Sequence, residues 1–480
     1  MKNLKVSEYL HYLPVAEGIF IGWNRFLPSF FIINNGAIAL LDRIKQQIPF
    51  ETNPNINGFL EEAEKHHFLY TGDTDPSPNN FSSLIGAKLD DLKNRFTDFY
   101  GEEKAYNALN IETDRCNLAC PYCISEASIT DERRCRSKIV NPLEKQKIID
   151  NCIDQFFDQK IKNNIFEARV AFNGGEILVE WPTVKRIIEH IASKYPGIEV
   201  EYIMNTNMTL ITEEIAQFLA LYKVKMVISI DGYREAHDST RIYHNQKGSF
   251  DDVIKNIELY REFDTQPIEG FQGTFDNPDE FDPEEVYKME RYGFRYARLA
   301  PNVLHGSEED AHKKAQIMKK FLEHDTTENF QVSELVFTRL KNKINRDKYE
   351  LDFNCNGLYP KNDFNIGLNI STLHVSQLCG FIKKVSLPIE DLDYNLFNPK
   401  LTNSSLNFIN ERMEKVQNNC MNCPIVGLCL GGCIMAGLNS DNEVNKTACT
   451  YLKEMSDIYI KNIYLNKKKK KIENTTDSTC

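Results

Sequence analysis

Apolar and polar residues alternate in short runs near the start of the chain: Tyr9-Leu10-His11-Tyr12, Gly18-Ile19-Phe20-Ile21 and Phe30-Phe31-Ile32-Ile33. A period of two puts the apolar side chains on one face of an extended segment, so these runs predict short strands. Asn34-Asn35-Gly36 breaks the alternation, and Ala37 to Ile44 and Ile56 to His67 then space their apolar residues as helices do. Strands followed by small helices predict a compact module over residues 1–85. Asp, Pro, Ser and Asn dominate Asp73 to Asn80, the composition of a linker, and Ser82 to Phe99 has the pattern of an amphipathic helix.

From about residue 105 the texture changes. Strand patterns at Ala108 to Thr113, Glu167 to Phe172, Val200 to Met204, Lys225 to Ile230, Ile268 to Thr274 and Arg295 to Ala300 alternate with helical patterns. The helices fall at Pro142 to Lys160, Trp181 to Tyr195, Thr212 to Tyr222, Ser249 to Phe263 and Asp282 to Tyr292. Six strands interleaved with helices predict an α/β fold over 105–303, a parallel sheet with right-handed crossovers, open or closed. Its site belongs in the loops after the carboxyl ends of the strands. Residues 304–352 are highly charged and helical in pattern and read as a connector. Cysteines crowd 353–455, and the tail 466–480, with its run Lys467 to Lys471, reads as a disordered, solvated charge run.

A chain of 480 residues with 41% hydrophobic content supports more than one domain. The formal charge of -12 argues against general affinity for nucleic-acid backbones, which Lys and Arg contacts dominate. No charged-then-apolar leader opens the chain, and no apolar run reaches the roughly 18 residues of a membrane span. The expected location is cytoplasmic, where thiols stay reduced. Thirteen clustered cysteines there point to metal ligation rather than disulfides.

Chemistry concentrates at Cys116-Asn117-Leu118-Ala119-Cys120-Pro121-Tyr122-Cys123. Three cysteines spaced C-x3-C-x2-C suit three corners of an iron-sulfur cube and leave the fourth iron open for a reacting ligand. Zinc wants a fourth protein ligand, and none follows at short spacing; zinc or plain buried thiols are the alternatives. Further motifs end the next strands: Asn173-Gly174-Gly175-Glu176, where glycines admit a ligand to the backbone and the glutamate offers an acceptor to a cationic group; Asn205-Thr206-Asn207; and Ser229-Ile230-Asp231-Gly232. His237, Asp238 and Arg241 follow, the arginine suited to a carboxylate through its fork, and Gly248-Ser249-Phe250 caps a helix. Near the C-terminus, Cys355, Cys379, Cys420, Cys423, Cys429, Cys433 and Cys449 include the run C-x2-C-x5-C-x3-C, with Gly427, Gly431 and Gly432 giving the backbone room to turn around a metal. Zinc suits such pairs as well. Cys135, Cys152 and Cys480 lie outside every motif and read as inert thiols.

Taken in order, these residues resemble the radical S-adenosylmethionine (SAM) enzymes over about 105–303. The resemblance implies a partial (β/α)6 TIM-like barrel in which Cys116, Cys120 and Cys123 hold a 4Fe-4S cluster whose open iron chelates SAM. Reduction then yields methionine and a 5'-deoxyadenosyl radical that takes hydrogen from a substrate. It places Tyr122 near the adenine and Gly174, Gly175 and Glu176 at the SAM amino group, although the proline usual after that motif is Ile177 here. Asn205 and Asn207 fall in the polar turn, and Ser229 and Arg241 are candidates for the ribose or carboxylate. The C-terminal cysteines resemble a SPASM domain with two auxiliary 4Fe-4S clusters, Cys420, Cys423, Cys429 and Cys449 enclosing one and Cys355, Cys379 and Cys433 the other. His374 stands where that family usually has glycine and is a possible ligand. The first 85 residues resemble winged-helix-like peptide-recognition modules, with a structural cap as the alternative. Together these imply a peptide maturase, an oxidoreductase that forms a thioether or carbon-carbon cross-link in a ribosomally made precursor peptide. Its other partner would be a one-electron reductant such as flavodoxin or ferredoxin, with neither nucleic acid nor membrane. The alternatives are a sulfatase-maturating type of enzyme and an iron-sulfur electron carrier or scaffold without SAM chemistry.

Overall fold

The computed structural model describes residues 3–124, 141–263, 268–324, 330–334, 338–344, 351, 364–378, 385–432 and 445–476. At the N-terminus, β2 (Leu10–Ala16), β3 (Ile19–Asn24) and β4 (Phe31–Asn34) form an antiparallel sheet, and β1 (Leu4–Val6) pairs with β5 (Leu69–Thr71). An asparagine starts each of the two helices that follow. Asn34 accepts from the Ala37 amide and Asn53 from the Ile56 amide, each at 2.9 Å, capping the helices Asn35–Lys45 and Pro54–Lys65. Alternation splits this sheet between two cores. Ile33 packs with Leu41, Ile44 and Phe68 inside the module, whereas Leu13, Ile21 and Trp23 join the main core.

The next helix, Ser77–Gly101, begins inside the stretch expected to be a linker. Asp75 accepts from the Ser77 amide at 2.9 Å, and Pro78 fits the first turn, where a missing N–H is harmless.

The six foreseen strands form, as β6 (Ala108–Thr113), β7 (Glu167–Gly174), β8 (Glu199–Thr206), β9 (Lys225–Ser229), β10 (Gly270–Phe275) and β11 (Tyr296–Pro301). They lie parallel in one sheet, and four more strands extend it: β12 (Gln331–Glu334), β13 (Ile366–Asn369), β14 (His374–Ser376) and β15 (Leu387–Pro388), in the order β12-β11-β10-β9-β8-β7-β6-β13-β14-β15. Both edges depart from expectation. β12 lies in the supposed helical connector, between the helices Glu308–Glu323 and Thr338–Ile344, and pairs parallel to β11. With one apolar residue in four it carries no period of its own; the open edge of β11 makes it a strand. At the other edge β13, from the C-terminal part of the chain, pairs parallel to β6 and leads into antiparallel β14 and β15.

One face of the sheet buries Leu109, Ile111, Val170, Phe172, Met204, Ile228, Phe271 and Leu299 in the main core. The other presents Asn110, Glu112, Asn173, Asn205, Ser229, Gln272 and Thr274, all only partly buried. A polar face on a sheet otherwise packed on helices marks the side that receives a ligand. At the amino ends of the strands, Glu201 takes Arg169 at 2.6 Å and Lys225 at 2.5 Å, so ion pairs occupy the end away from the cysteine loop. The last helix, Lys446–Thr476, packs beside Glu308–Glu323 and is helical through the tail expected from 466 to be disordered, as far as Thr476. Among the described residues no helix is long and apolar enough to cross a membrane.

Candidate cofactor site

The cysteine loop leaves the carboxyl end of β6. Cys116 is buried, and Cys120 and Cys123 are partly exposed. The loop is held by main-chain bonds, Ala119 donating to the Ile242 carbonyl at 2.8 Å and Cys123 to that of Cys120 at 3.2 Å. Burial pushes the Cys116 thiol up to about 12 and the Cys120 thiol up to about 11, and each is raised further by its cysteine neighbours. Thiolates crowded in this way need a cationic partner, which bound iron supplies, so the donor set fits a cluster.

The turn after β7 is stitched onto this loop. Gly174 has φ +110°, and a Cβ there would lie 2.2 Å from the Thr113 carbonyl oxygen, so only glycine fits. Gly175 and Glu176 donate their amides to the carbonyls of Thr113 and Arg115, each at 2.8 Å. The Glu176 carboxylate is not offered to a ligand as expected. It is fully buried and accepts from the Leu178 amide at 3.1 Å, the Thr206 hydroxyl at 2.9 Å and the Asn207 amide at 2.6 Å. It braces β7 against β8. Burial raises its carboxyl and these donors oppose the rise, with a net upward move to about 7.

Asn207 is likewise part of the brace, donating at 3.0 Å to Asn117 inside the cysteine loop. Asn205 stays on the polar face, donating to Asn173 and accepting from Gln272 at 3.3 Å, and Ser229 lies beside Gln272 in register.

Asp231, quoted above without a role, is the hub of the site. Fully buried, it accepts from the Tyr122 hydroxyl, from Thr240 Oγ1 at 2.9 Å and from the Thr274 amide at 2.8 Å. Arg241 Nε lies 2.9 Å from Asp231, off the hydrogen-bonding direction, and the guanidinium carbon is 5.9 Å from the Tyr122 ring centroid. The two terminal nitrogens of Arg241 have no acceptor among the described residues, the condition of a fork that can take a carboxylate. His237 supports the hub. Its Nδ1 accepts from the Asp231 amide at 3.3 Å, its Nε2 lies 2.9 Å from Ser249 Oγ, and Ser249 donates to the Arg241 carbonyl at 2.6 Å. Ser249 stands at the N-cap of its helix as expected, but its side chain makes no cap bond; Asp238 accepts from the Phe250 amide at 2.8 Å instead. Local sequence could flag Asp231 and His237, but their partners Tyr122, Thr240 and Thr274 are joined only by the fold.

A second site lies in the C-terminal part. Cys420, Cys423, Cys429 and Cys449 line one cavity of about 330 Å³. Burial raises all four thiols, and the Lys453 charge opposes this at Cys420, Cys423 and Cys449. Four thiols around a single space suit an enclosed cluster. Among the described residues no three His, Cys, Asp or Glu side chains gather tightly enough for a single metal ion, whereas a cubane spreads its thiolates over separate irons. The loop is fixed from three directions. Trp23 Nε1 of β3 donates to the Pro424 carbonyl at 2.8 Å, Lys343 to that of Leu428 at 2.9 Å, and Arg412 to those of Gly431 and Gly432 at 2.7 and 2.9 Å. Cys355, Cys379 and Cys433, like Cys135 and Cys480, lie outside the described residues. Cys152 is fully buried in the core, and burial pushes its thiol up to about 12. His374 Nδ1 lies 3.0 Å from the Thr372 carbonyl and donates there, which leaves Nε2 as the ring nitrogen that could face a metal.

Residues 111–268 match the profile of the Radical SAM superfamily, and this part of the chain is a radical SAM domain. The radical SAM cyclopropyl synthase TigE of Paramaledivibacter caminithermalis is 24% identical over 276 residues, 54% of this chain and 55% of that protein, so the match spans about half its length. The antilisterial bacteriocin subtilosin biosynthesis protein AlbA of Bacillus subtilis is 25% identical over 365 residues, 71% of this chain and 70% of that one. Among solved structures, native anSMEcpe with bound AdoMet and Cp18Cys peptide has a TM-score of 0.53 at 19% identity, covering 74% of this chain and 97% of that chain, a likeness of fold.

Proposed function

We propose that the protein is a radical SAM peptide maturase of the SPASM type, an oxidoreductase that cross-links a ribosomally made precursor peptide. The observation that carries this reading is the pairing of an open three-cysteine loop with Arg241, whose terminal nitrogens have no acceptor among the described residues, together with a second, four-cysteine cavity against which the N-terminal module is docked. A cluster with SAM at the first site supplies a 5'-deoxyadenosyl radical that abstracts hydrogen from the peptide. In this reading Cys116, Cys120 and Cys123 hold the cluster and Arg241 takes the SAM carboxylate. Gly174 and Gly175 bring backbone to the amino group, Tyr122 flanks the adenine, and Asn205 and Ser229 line the way to the ribose. Glu176 and Asn207 hold the turns in place.

Cys420, Cys423, Cys429 and Cys449 would hold one auxiliary cluster and Cys355, Cys379 and Cys433 the other, and such clusters would supply an electron acceptor for an oxidative cross-link. Residues 1–85 receive the leader of the peptide as an added strand. The descriptions of AlbA as a bacteriocin biosynthesis protein and of TigE as a cyclopropyl synthase support a peptide-modifying role. A cytoplasmic setting and a flavodoxin or ferredoxin as reductant complete the proposal.

The test is to incubate the reconstituted chain, SAM and a reductant with a precursor peptide encoded beside it. Loss of two hydrogens from the peptide, dependent on its leader, is expected. Turnover of a short leaderless Cys or Ser peptide to formylglycine instead would favour the sulfatase-maturating reading. An unaltered peptide while 5'-deoxyadenosine accumulates contradicts both.

A further inference from the structure

The helix Lys446–Thr476 carries eight lysines against three acidic residues, in a chain whose formal charge is -12. Lys446, Cys449, Thr450 and Lys453 follow helical spacing and share one stripe, so a cavity thiol lies between two lysines. Both lysines are exposed and border the four-cysteine cavity, as does the partly buried Lys415 of the helix Lys400–Asn419. None of the three is in an ion pair among the described residues. The one acidic residue on this border, Glu308, accepts from Thr450 Oγ1 at 3.0 Å. Cys420, Cys423, Cys429 and Cys449 are each partly exposed there, so this is where a redox group at the cavity comes nearest to solvent.

We propose that this lysine-bordered mouth is the docking surface of an acidic one-electron carrier that exchanges electrons with the four-cysteine site. The proposal rests on the auxiliary-cluster reading above. An acidic partner is repelled by most of a chain of this charge and drawn to a border where cations flank a redox site. In the reducing direction the carrier loses one electron and the site gains it; no bond forms or breaks.

The experiment uses the full chain reconstituted with iron and sulfide, and follows bleaching of the cluster absorbance by stopped flow with reduced flavodoxin as the probe at increasing salt. The native chain should be reduced more slowly as salt rises. Lys446→Glu/Lys453→Glu should cut the rate about tenfold and flatten the salt dependence, while dithionite reduces both proteins alike and their iron contents agree. Native-rate reduction of the double variant by flavodoxin would overturn the docking surface. So would lysine-dependent capture of anionic vesicles or RNA with no effect on flavodoxin. If the native chain instead holds no iron at Cys420, Cys423, Cys429 and Cys449, the auxiliary-cluster reading falls, and this proposal with it.

Discussion

At the residue scale the site depends on Asp231, which gathers a phenol, a hydroxyl, an amide and a guanidinium around one buried carboxylate. Asp231→Asn leaves the Arg241 charge uncompensated, and removing one partner of a buried pair costs about 3 kcal/mol. Urea unfolding of the cluster-free variant should show a lower midpoint; an unchanged midpoint would remove Asp231 from this role. His237 adds a pH dependence. Burial holds it down to about 3 from an ordinary 6.5, so the unfolded chain binds a proton that the folded chain refuses. Its contribution is therefore complete above about 6.5 and is lost as pH falls from there toward 3. Glu176 works with the opposite sign, its contribution fading as pH rises from 4.5 toward 7. The informative quantity is thus the difference between wild type and His237→Gln. Relative to the variant, wild type should lose stability as the pH falls below 6.5, and parallel curves would rule the histidine out. The cysteine loop and the glycine turn were legible because their spacing is local. The bracing roles of Glu176 and Asn207 were not, because sequence shows that a carboxylate is present but not that three donors already surround it.

At the scale of elements, the N-terminal module is fastened to the four-cysteine loop. Trp23 reaches Pro424, and the Gly427 amide donates to the Arg25 carbonyl at 2.9 Å. A Cβ at Gly427 would sit 2.5 Å from the Phe26 carbonyl oxygen, which explains glycine at that contact. Trp23→Phe keeps the aromatic bulk but leaves the Pro424 carbonyl without its donor, at about 1.4 kcal/mol, or tenfold in local opening. Iron in the four-cysteine site should then be stripped by a chelator about tenfold faster; equal rates would mean that the module does not support the loop. Element type was readable wherever hydrophobic periodicity was strong, as in β6 to β11. It failed for β12, whose Gln-Val-Ser-Glu sequence has no pattern and becomes a strand only because β11 offers an edge. It also failed at Asp73 to Asn80, where the same Asp, Ser and Pro that suggest a linker start a helix.

At the scale of the whole molecule, the sheet joins parts that the cysteine pattern separates. β6 carries the three-cysteine loop on its carboxyl end and pairs at its side with β13 from the C-terminal region, so the radical SAM domain and that region share one sheet. The polar face, the ion pairs at the amino ends and the loops at the carboxyl ends then give the molecule one working end, which the strand-helix alternation foretold. The pairing of β13 with β6 was not foretold, because it joins residues more than 250 positions apart. The central claim is that this working end cleaves SAM. The most direct measurement is 5'-deoxyadenosine released by the reconstituted full chain with dithionite and SAM. Wild type should release it and bind about four more irons per chain than Cys116→Ala/Cys120→Ala/Cys123→Ala, which should release none. A wild-type chain with its full iron content and no 5'-deoxyadenosine would contradict the account.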